Sequence, residues 1–318
     1  MSDNANGVSE GQTSRPAVSC ETQHEDVVHD TQWDFYGRFM ATCSSDRTVR
    51  IFSTTGASQS EKPRLAAILT GHEGPVWMIS WAHPRFGNVI ASCSYDHRAI
   101  VWKESSAGQW KPVHIVGIHK GSVNALQFSS AEYGLLLATA SSDGTVAVTE
   151  FAEGNWRESI TVGEDERPAH PLGAMAVSFA PFHPTTRTNP ILATGGCDCK
   201  IRLWSKTGNW KPLVAFGDHK DWIRDVAFCP DASSTFLVVA SCSQDKTVVV
   251  RRIASDSADL SNPKAWEVSV TTFPETCWRL SWSPCGTMLL VTTADSRAYL
   301  LKQGATFTDE WLRMPVEH

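Results

Sequence analysis

The chain has 318 residues, 42% hydrophobic and 19% charged, with a formal net charge of −6. That composition fits a soluble protein able to bury a large core, and its acidic balance argues against a nucleic-acid partner, which needs a basic face. No apolar run approaches the roughly 18 to 20 residues that span a bilayer, and the polar N-terminus has no signal-peptide pattern.

Residues 1–20 are rich in Ser, Gly, Asn and Asp without apolar periodicity, and are expected to form a disordered tail. From residue 21 onward the chain repeats. A histidine stands nine residues before an aromatic five times: His24 and Trp33, His72 and Trp81, His119 and Phe128, His170 and Phe179, His219 and Phe228. A sixth copy keeps the spacing with Phe273 in place of histidine, ending at Trp282. Each copy continues to an aspartate in a polar turn: Asp46, Asp96, Asp143, Asp198, Asp245 and Asp295. Four residues before the first five aspartates stand Thr42, Ser92, Thr139, Thr194 and Ser241, whereas the last copy has Val291. Six residues after the aspartate come Phe52, Trp102 and Trp204 in three copies, replaced by Thr149, Arg251 and Leu301 in the others.

The aspartates recur every 47 to 55 residues, close to one four-stranded propeller blade. Strand-length runs of β-branched and aromatic residues flank each aspartate, joined by tight polar turns. The expected fold is all-β, a six-bladed WD-repeat β-propeller over residues 21–318. Blades are expected at about 21–69, 70–116, 117–167, 168–216, 217–270 and 271–318. Trp110, Trp156, Trp210, Trp266 and Trp311 mark the fourth strands, with Arg64 to Ile68 serving in the first blade and Trp311 to Val316 forming the last. Longer loops are expected at Asp165 to Ala169, Pro181 to Pro190 and Asp256 to Lys264. The first repeat begins with its own inner strand and the last ends with its own outer strand. No strand is then spare to clasp the ring, which is expected to be open between blades one and six.

At one structural position in successive repeats, histidine, hydroxyl, aspartate and tryptophan read as a buried hydrogen-bonded network fixing each turn. His72, Ser92, Asp96 and Trp102 complete it in the second copy, and His170, Thr194, Asp198 and Trp204 in the fourth. A catalytic or metal role for these residues is not expected, and no cofactor is implied. Asp198 between Cys197 and Cys199 resembles a metal clip, but a Cys-x-Cys read as strand points both sulfurs one way without a second pair at ligand spacing. Cys43, Cys93 and Cys242 read as small core residues. Nine cysteines without a secretory signal suggest reduced thiols. Sialidase-type hydrolases also use six blades. Here, however, glycine follows Asp143 directly, and Tyr36, Tyr95, Tyr133 and Tyr299 have no arginine cluster beside them, so an enzyme is not expected.

Further motifs are more specific than a generic WD dipeptide: Ala41-Thr42-Cys43-Ser44-Ser45-Asp46, Thr70-Gly71-His72-Glu73-Gly74-Pro75-Val76-Trp77 with Trp81-Ala82-His83-Pro84, Ala91-Ser92-Cys93-Ser94-Tyr95-Asp96, and Asp221-Trp222-Ile223-Arg224-Asp225-Val226-Ala227. On these the chain resembles the Sec-thirteen family, the small WD-repeat subunit of the COPII outer coat and of the nuclear-pore Y-shaped complex. The resemblance covers about residues 21–315 and is weakest at 181–190 and in the last blade. It implies a structural subunit that accepts an inserted blade from a helical-solenoid partner. That partner is the large cage subunit in the coat and a scaffold nucleoporin at the pore. It implies residence on the cytoplasmic face of the ER, on COPII vesicles and at the nuclear pore, touching membrane only through the coat. Val28, Asp30 and Trp33 of blade one and Trp278, Leu280 and Trp282 of blade six are expected to line the seam. Trp77 and Trp222 could equally be partner hot spots or pack between blades.

Two other readings remain: a peptide-binding adaptor using the loops near Glu73, Lys120, Asp221 and Glu275, and the paralogous small propeller of the nuclear-pore scaffold.

Overall fold

Short β-branched runs broken by Asp-containing turns fold into six antiparallel meanders, in which the four main strands of each blade pair in chain order. The computed structural model describes residues 20–54, 62–164, 167–231, 235–256, 259–303 and 311–314. Almost all of the expected tail, residues 1–19, lies outside them. Blade one runs from Val28–Trp33 through Phe39–Ser44 and Thr48–Ser53 to Arg64–Thr70. The inner strands of blades two to six are Val76–Trp81, Val123–Phe128, Ala174–Phe179, Ile223–Phe228 and Cys277–Trp282. Their outer strands are Gln109–Val116, Ile160–Glu164, Asn209–Phe216, Glu267–Thr272 and Leu312–Met314. This is a six-bladed all-β propeller.

The tryptophans expected to mark outer strands do so only in part. Trp110 and Trp210 lie within them, but Trp156 sits in a two-residue bridge ahead of its strand. Trp266 and Trp311 immediately precede theirs. The indoles are set by packing rather than by the ladder: Trp266 meets Phe216 edge-on, and Trp311 meets Trp282.

Alternation gives each blade two apolar faces, and successive blades bury them against one another. Ala41, Cys43, Val49 and Ile51 of blade one pack on Val76, Ile79, Ile90 and Ile100 of blade two. Corresponding clusters fill the next four junctions. Each large aliphatic side chain so buried contributes about 1.5–3 kcal/mol. Among the described residues no sixth cluster joins blade six to blade one.

Every blade repeats one irregularity. Its inner strand is bulged after its first paired residue, so that one residue lacks a partner on the second strand. The skipped residues are His29, Trp77, Asn124, Met175, Arg224 and Trp278. A bulge re-aims its side chain out of the sheet's alternation, and these six line one cavity of about 540 Å³ together with Arg279.

Candidate functional site

The repeated polar residues form closed hydrogen-bond circuits. In blade two, His72 Nδ1 lies 2.8 Å from Asp96 Oδ2 and its Nε2 lies 2.8 Å from Ser92 Oγ, while Trp102 Nε1 donates to Ser92 Oγ at 2.9 Å. With the proton on Nδ1, the ring donates to the carboxylate and accepts from the serine hydroxyl. Blade four repeats this with His170, Asp198, Thr194 and Trp204, at 2.8, 2.8 and 2.9 Å, and Arg202 also donates to Asp198 at 2.6 Å. The aspartates take backbone donors as well: Asp96 accepts from the Glu73 and Arg98 N–H groups. Burial alone would raise these carboxyls, but the histidine, hydroxyl, cationic and backbone donors outweigh it and hold Asp46, Asp96 and Asp198 at about 2. The side chains of His72 and His170 are buried. The circuits therefore serve as fasteners.

The circuit changes from blade to blade. In blade three, His119 reaches Thr145 at 2.8 Å and stands 3.9 Å from Asp143. In blade five, Arg251 replaces the tryptophan, stacks over Phe216 and pairs with Asp218. Blade six replaces three members by Phe273, Val291 and Leu301, all buried in one apolar cluster. Cys43, Cys93 and Cys242 are fully buried. Cys197 and Cys199 lie in the turn after the Ile191–Gly196 strand rather than within a strand, and Cys199 has φ +61°. Among the described residues no cluster of three or more His, Cys, Asp or Glu could hold a metal.

The faces without a neighbour stand out by comparison with their equivalents. Val28 is 38% exposed, whereas its counterparts Val76, Val123, Ala174, Ile223 and Cys277 are fully buried against the preceding blade. Thr31 is likewise exposed where Ile79, Leu126, Val177, Val226 and Leu280 are buried. Trp33 is 55% exposed. Its counterparts Trp81 and Trp282 donate their indole N–H groups to Gln32 O and Ala227 O of the blade before, and Trp33 has no such acceptor among the described residues.

On blade six the opposite face is uncovered. Leu290 and Leu300, which pair with each other across the second and third strands, are only half-buried. Their equivalents are completely or almost completely buried: Ala41, Ala91, Ala138, Ala193 and Ala240 for the first, Ile51, Val101, Val148, Leu203 and Val250 for the second. Met314, in register with Leu300, and Leu312 extend the same face and are exposed. Five blades thus carry alanine where the next blade packs close. The sixth carries the larger leucine, where none of these packs.

Four of the six residues expected at the seam point elsewhere. Asp30 turns toward blade two, where its Oδ2 accepts from the Ile79 N–H. Leu280 and Trp282 face blade five: Leu280 N–H donates to Asp225 Oδ2, and Trp282 Nε1 donates to Ala227 O. Trp278 is the bulge residue of its strand and lines the channel mouth, with the Arg224 guanidinium 4.4 Å from its ring centroid. Blade six turns toward blade five the same inner-strand positions that blade one leaves bare, and the bulge shifts the alternation by one. Val28 and Trp33 lie on the uncovered face of blade one. Thr31, Leu290, Leu300, Leu312 and Met314 were missed; leucine for alanine at position 290 was the available signal.

Trp77 packs between blades, donating to Ser122 Oγ at 2.9 Å and meeting His29 edge-on. Trp222 is 45% exposed, and Arg224 bridges it to Trp278.

A family model described as "WD domain, G-beta repeat" matches residues 17–53, 63–103, 110–149, 166–205 and 210–251. The five matches stop short of blade six, where the polar circuit is replaced. "Protein SEC13 homolog" of Drosophila melanogaster is 38% identical over 310 residues, covering 93% of this chain and 83% of that protein. "Protein transport protein sec13" of Emericella nidulans is 38% identical over 306 residues, covering 90% and 94%. "Protein transport protein SEC13" of Cryptococcus neoformans is 37% identical over 330 residues, covering 93% and 94%.

Proposed function

This chain belongs to the Sec13 family of WD-repeat proteins, and from that premise we propose that it is a non-catalytic structural subunit of protein transport. Its places are the outer cage of the COPII coat, between ER and Golgi, and the nuclear pore scaffold. The ring is left open between blades six and one, and a helical-solenoid partner inserts a blade there. That partner is the large cage subunit in the coat and a scaffold nucleoporin of the Y-shaped complex at the pore. The protein then resides on the cytoplasmic face of the ER, on COPII vesicles and at the pore, and meets membrane only through the coat.

The observation that carries this reading is the pair of bare faces, with Val28, Thr31 and Trp33 on one and Leu290, Leu300 and Met314 on the other. Unpaired sheet surface of this kind invites an added element. A blade covered on both sides would exceed the roughly 1,600 Å² of a standard interface, giving a long-lived complex. Affinity capture of the tagged chain tests it: solenoid cage or scaffold subunits are expected in stoichiometric amount. Recovery of neither, together with inner-strand hydrogen exchange in blade one as slow as in blade three for the chain alone, would sink the reading. The channel mouth, with Trp77, Arg224 and Trp278, supports a second reading as a peptide-binding adaptor, for which kinases or ligases would be captured instead.

A further inference from the structure

At the junction of blades five and six two thiols share a cavity. Cys285 is the third residue of the turn Ser283-Pro284-Cys285-Gly286, closed by Gly286 N–H donating to Ser283 O at 2.8 Å. Its sulfur is 3.4 Å from Ser283 Oγ and 3.0 Å from Thr287 Oγ1, and the residue is exposed. Those hydroxyls and the Thr287 N–H favour the thiolate and lower the Cys285 thiol to about 7. Cys229 follows the inner strand of blade five and is buried, with its sulfur 3.7 Å from Gly286 O. A Cβ added to Gly286 would fall 2.5 Å from that sulfur, so Cys229 is seated against the residue next to Cys285. Both cysteines line one cavity of about 400 Å³.

We propose that Cys285 is a peroxide-reactive thiol with Cys229 as its resolving partner, so that oxidation joins blade five to blade six by a disulfide. In the first step the Cys285 thiolate attacks a peroxide oxygen. The O–O bond breaks, sulfur loses two electrons to become a sulfenic acid, and the second oxygen leaves as hydroxide or alkoxide. In the second step the Cys229 sulfur attacks the sulfenic sulfur. An S–S bond forms, the S–O bond breaks, and the thiol proton leaves with the hydroxyl as water. Burial raises the Cys229 thiol, which slows its attack, while its seat on the turn supplies high effective concentration. The bond would secure the blade whose polar circuit has been replaced by Phe273, Val291 and Leu301.

The full chain, with all nine cysteines, tests this. At pH 7 Cys285 is expected to alkylate with iodoacetamide about tenfold faster than Cys20 or Cys199, whose thiols burial raises, after allowing for the weaker nucleophilicity of a low-pKa thiol. Hydrogen peroxide followed by trypsin should link the peptide 225–246 to 280–297, with fragmentation placing the bond on Cys229 rather than Cys242. C285S should abolish the link, and C229A should increase the sulfenic acid trapped by dimedone. Equal alkylation rates overturn the proposal. So does peroxide oxidation of Cys285 in the unmutated chain without the intramolecular link, a result independent of whether C229A folds.

Discussion

Asp30 of blade one accepts a hydrogen bond from the Ile79 N–H of blade two at 3.1 Å, and Asp225 of blade five does the same for Leu280 of blade six at 2.9 Å. Burial raises both carboxyls, with Arg279 acting the other way. Asp30→Ala leaves the Ile79 N–H unpaired at a blade junction and is expected to lower stability by about 1–3 kcal/mol. Asp30→Asn keeps an acceptor oxygen and should cost less. Urea unfolding with an unchanged m value reads both.

Acid should loosen the propeller through its turns. Asp46, Asp96 and Asp198 are held at about 2 in the fold, and Asp143 and Asp245 are also lowered. The unfolded chain therefore takes up protons first, so this contribution is complete above about pH 4 and is lost as pH falls toward 2. Asp30 and Asp225, raised in the fold, have the opposite sign and offset part of the loss. Asp96→Asn should be less stable than the parent at pH 7, and its stability should fall less between pH 7 and pH 3. An equal fall in the two proteins would contradict the role given to Asp96.

The fastener circuit should behave as a unit. His72→Phe strands the Ser92 hydroxyl proton, and Ser92→Val strands both His72 Nε2 and Trp102 Nε1. Combining them removes the stranded pair, so the double variant should be less destabilised than the sum of the single ones by about 1 kcal/mol or more. A double-mutant cycle measures that coupling. Blade six, with Phe273 and Val291, already has the apolar version.

Adjacent leucines on opposite faces offer a sharper contrast. Leu289 is fully buried against blade five, so Leu289→Ala should cost about 2–5 kcal/mol. Leu290 faces the other way, and Leu290→Asp should leave the isolated chain far less affected. In capture experiments the order should reverse: Leu290→Asp and Trp33→Ala should lose the solenoid partner proposed above. Retention of partner by both would exclude these faces as its seat.

A glycine in blade four should tolerate no side chain. A Cβ on Gly196 would meet the His170 ring at 2.4 Å, and neither that ring nor the turn is free to move, since His170 is held at both nitrogens. Gly196→Ala is expected to cost about 1–3 kcal/mol in thermal or urea unfolding.

Blade number, turn circuits and their apolar loss in blade six were legible because each rests on spacing along one chain, as from His72 to Ser92 to Asp96. The uncovered faces were only half legible. Alternation assigns a face once the register is known, and the unpaired residues, from His29 to Trp278, break that register without any marked composition. Asp30 therefore read as a seam residue when it points to blade two, and Trp278 when it points to the channel. Exposure relative to equivalent positions, such as Val28 beside Val76, emerges only when the blades are assembled.

The bulge that recurs in all six inner strands turns one side chain per blade toward a shared cavity. The six positions now hold imidazole, indole, amide, thioether, guanidinium and indole, a mixture no shared core would accept. Some of these side chains also brace neighbouring blades: Trp77 donates to Ser122 Oγ and Asn124 to Ala174 O. The ring consequently brings six side chains of varied chemistry, one from each blade, to the lining of a single cavity.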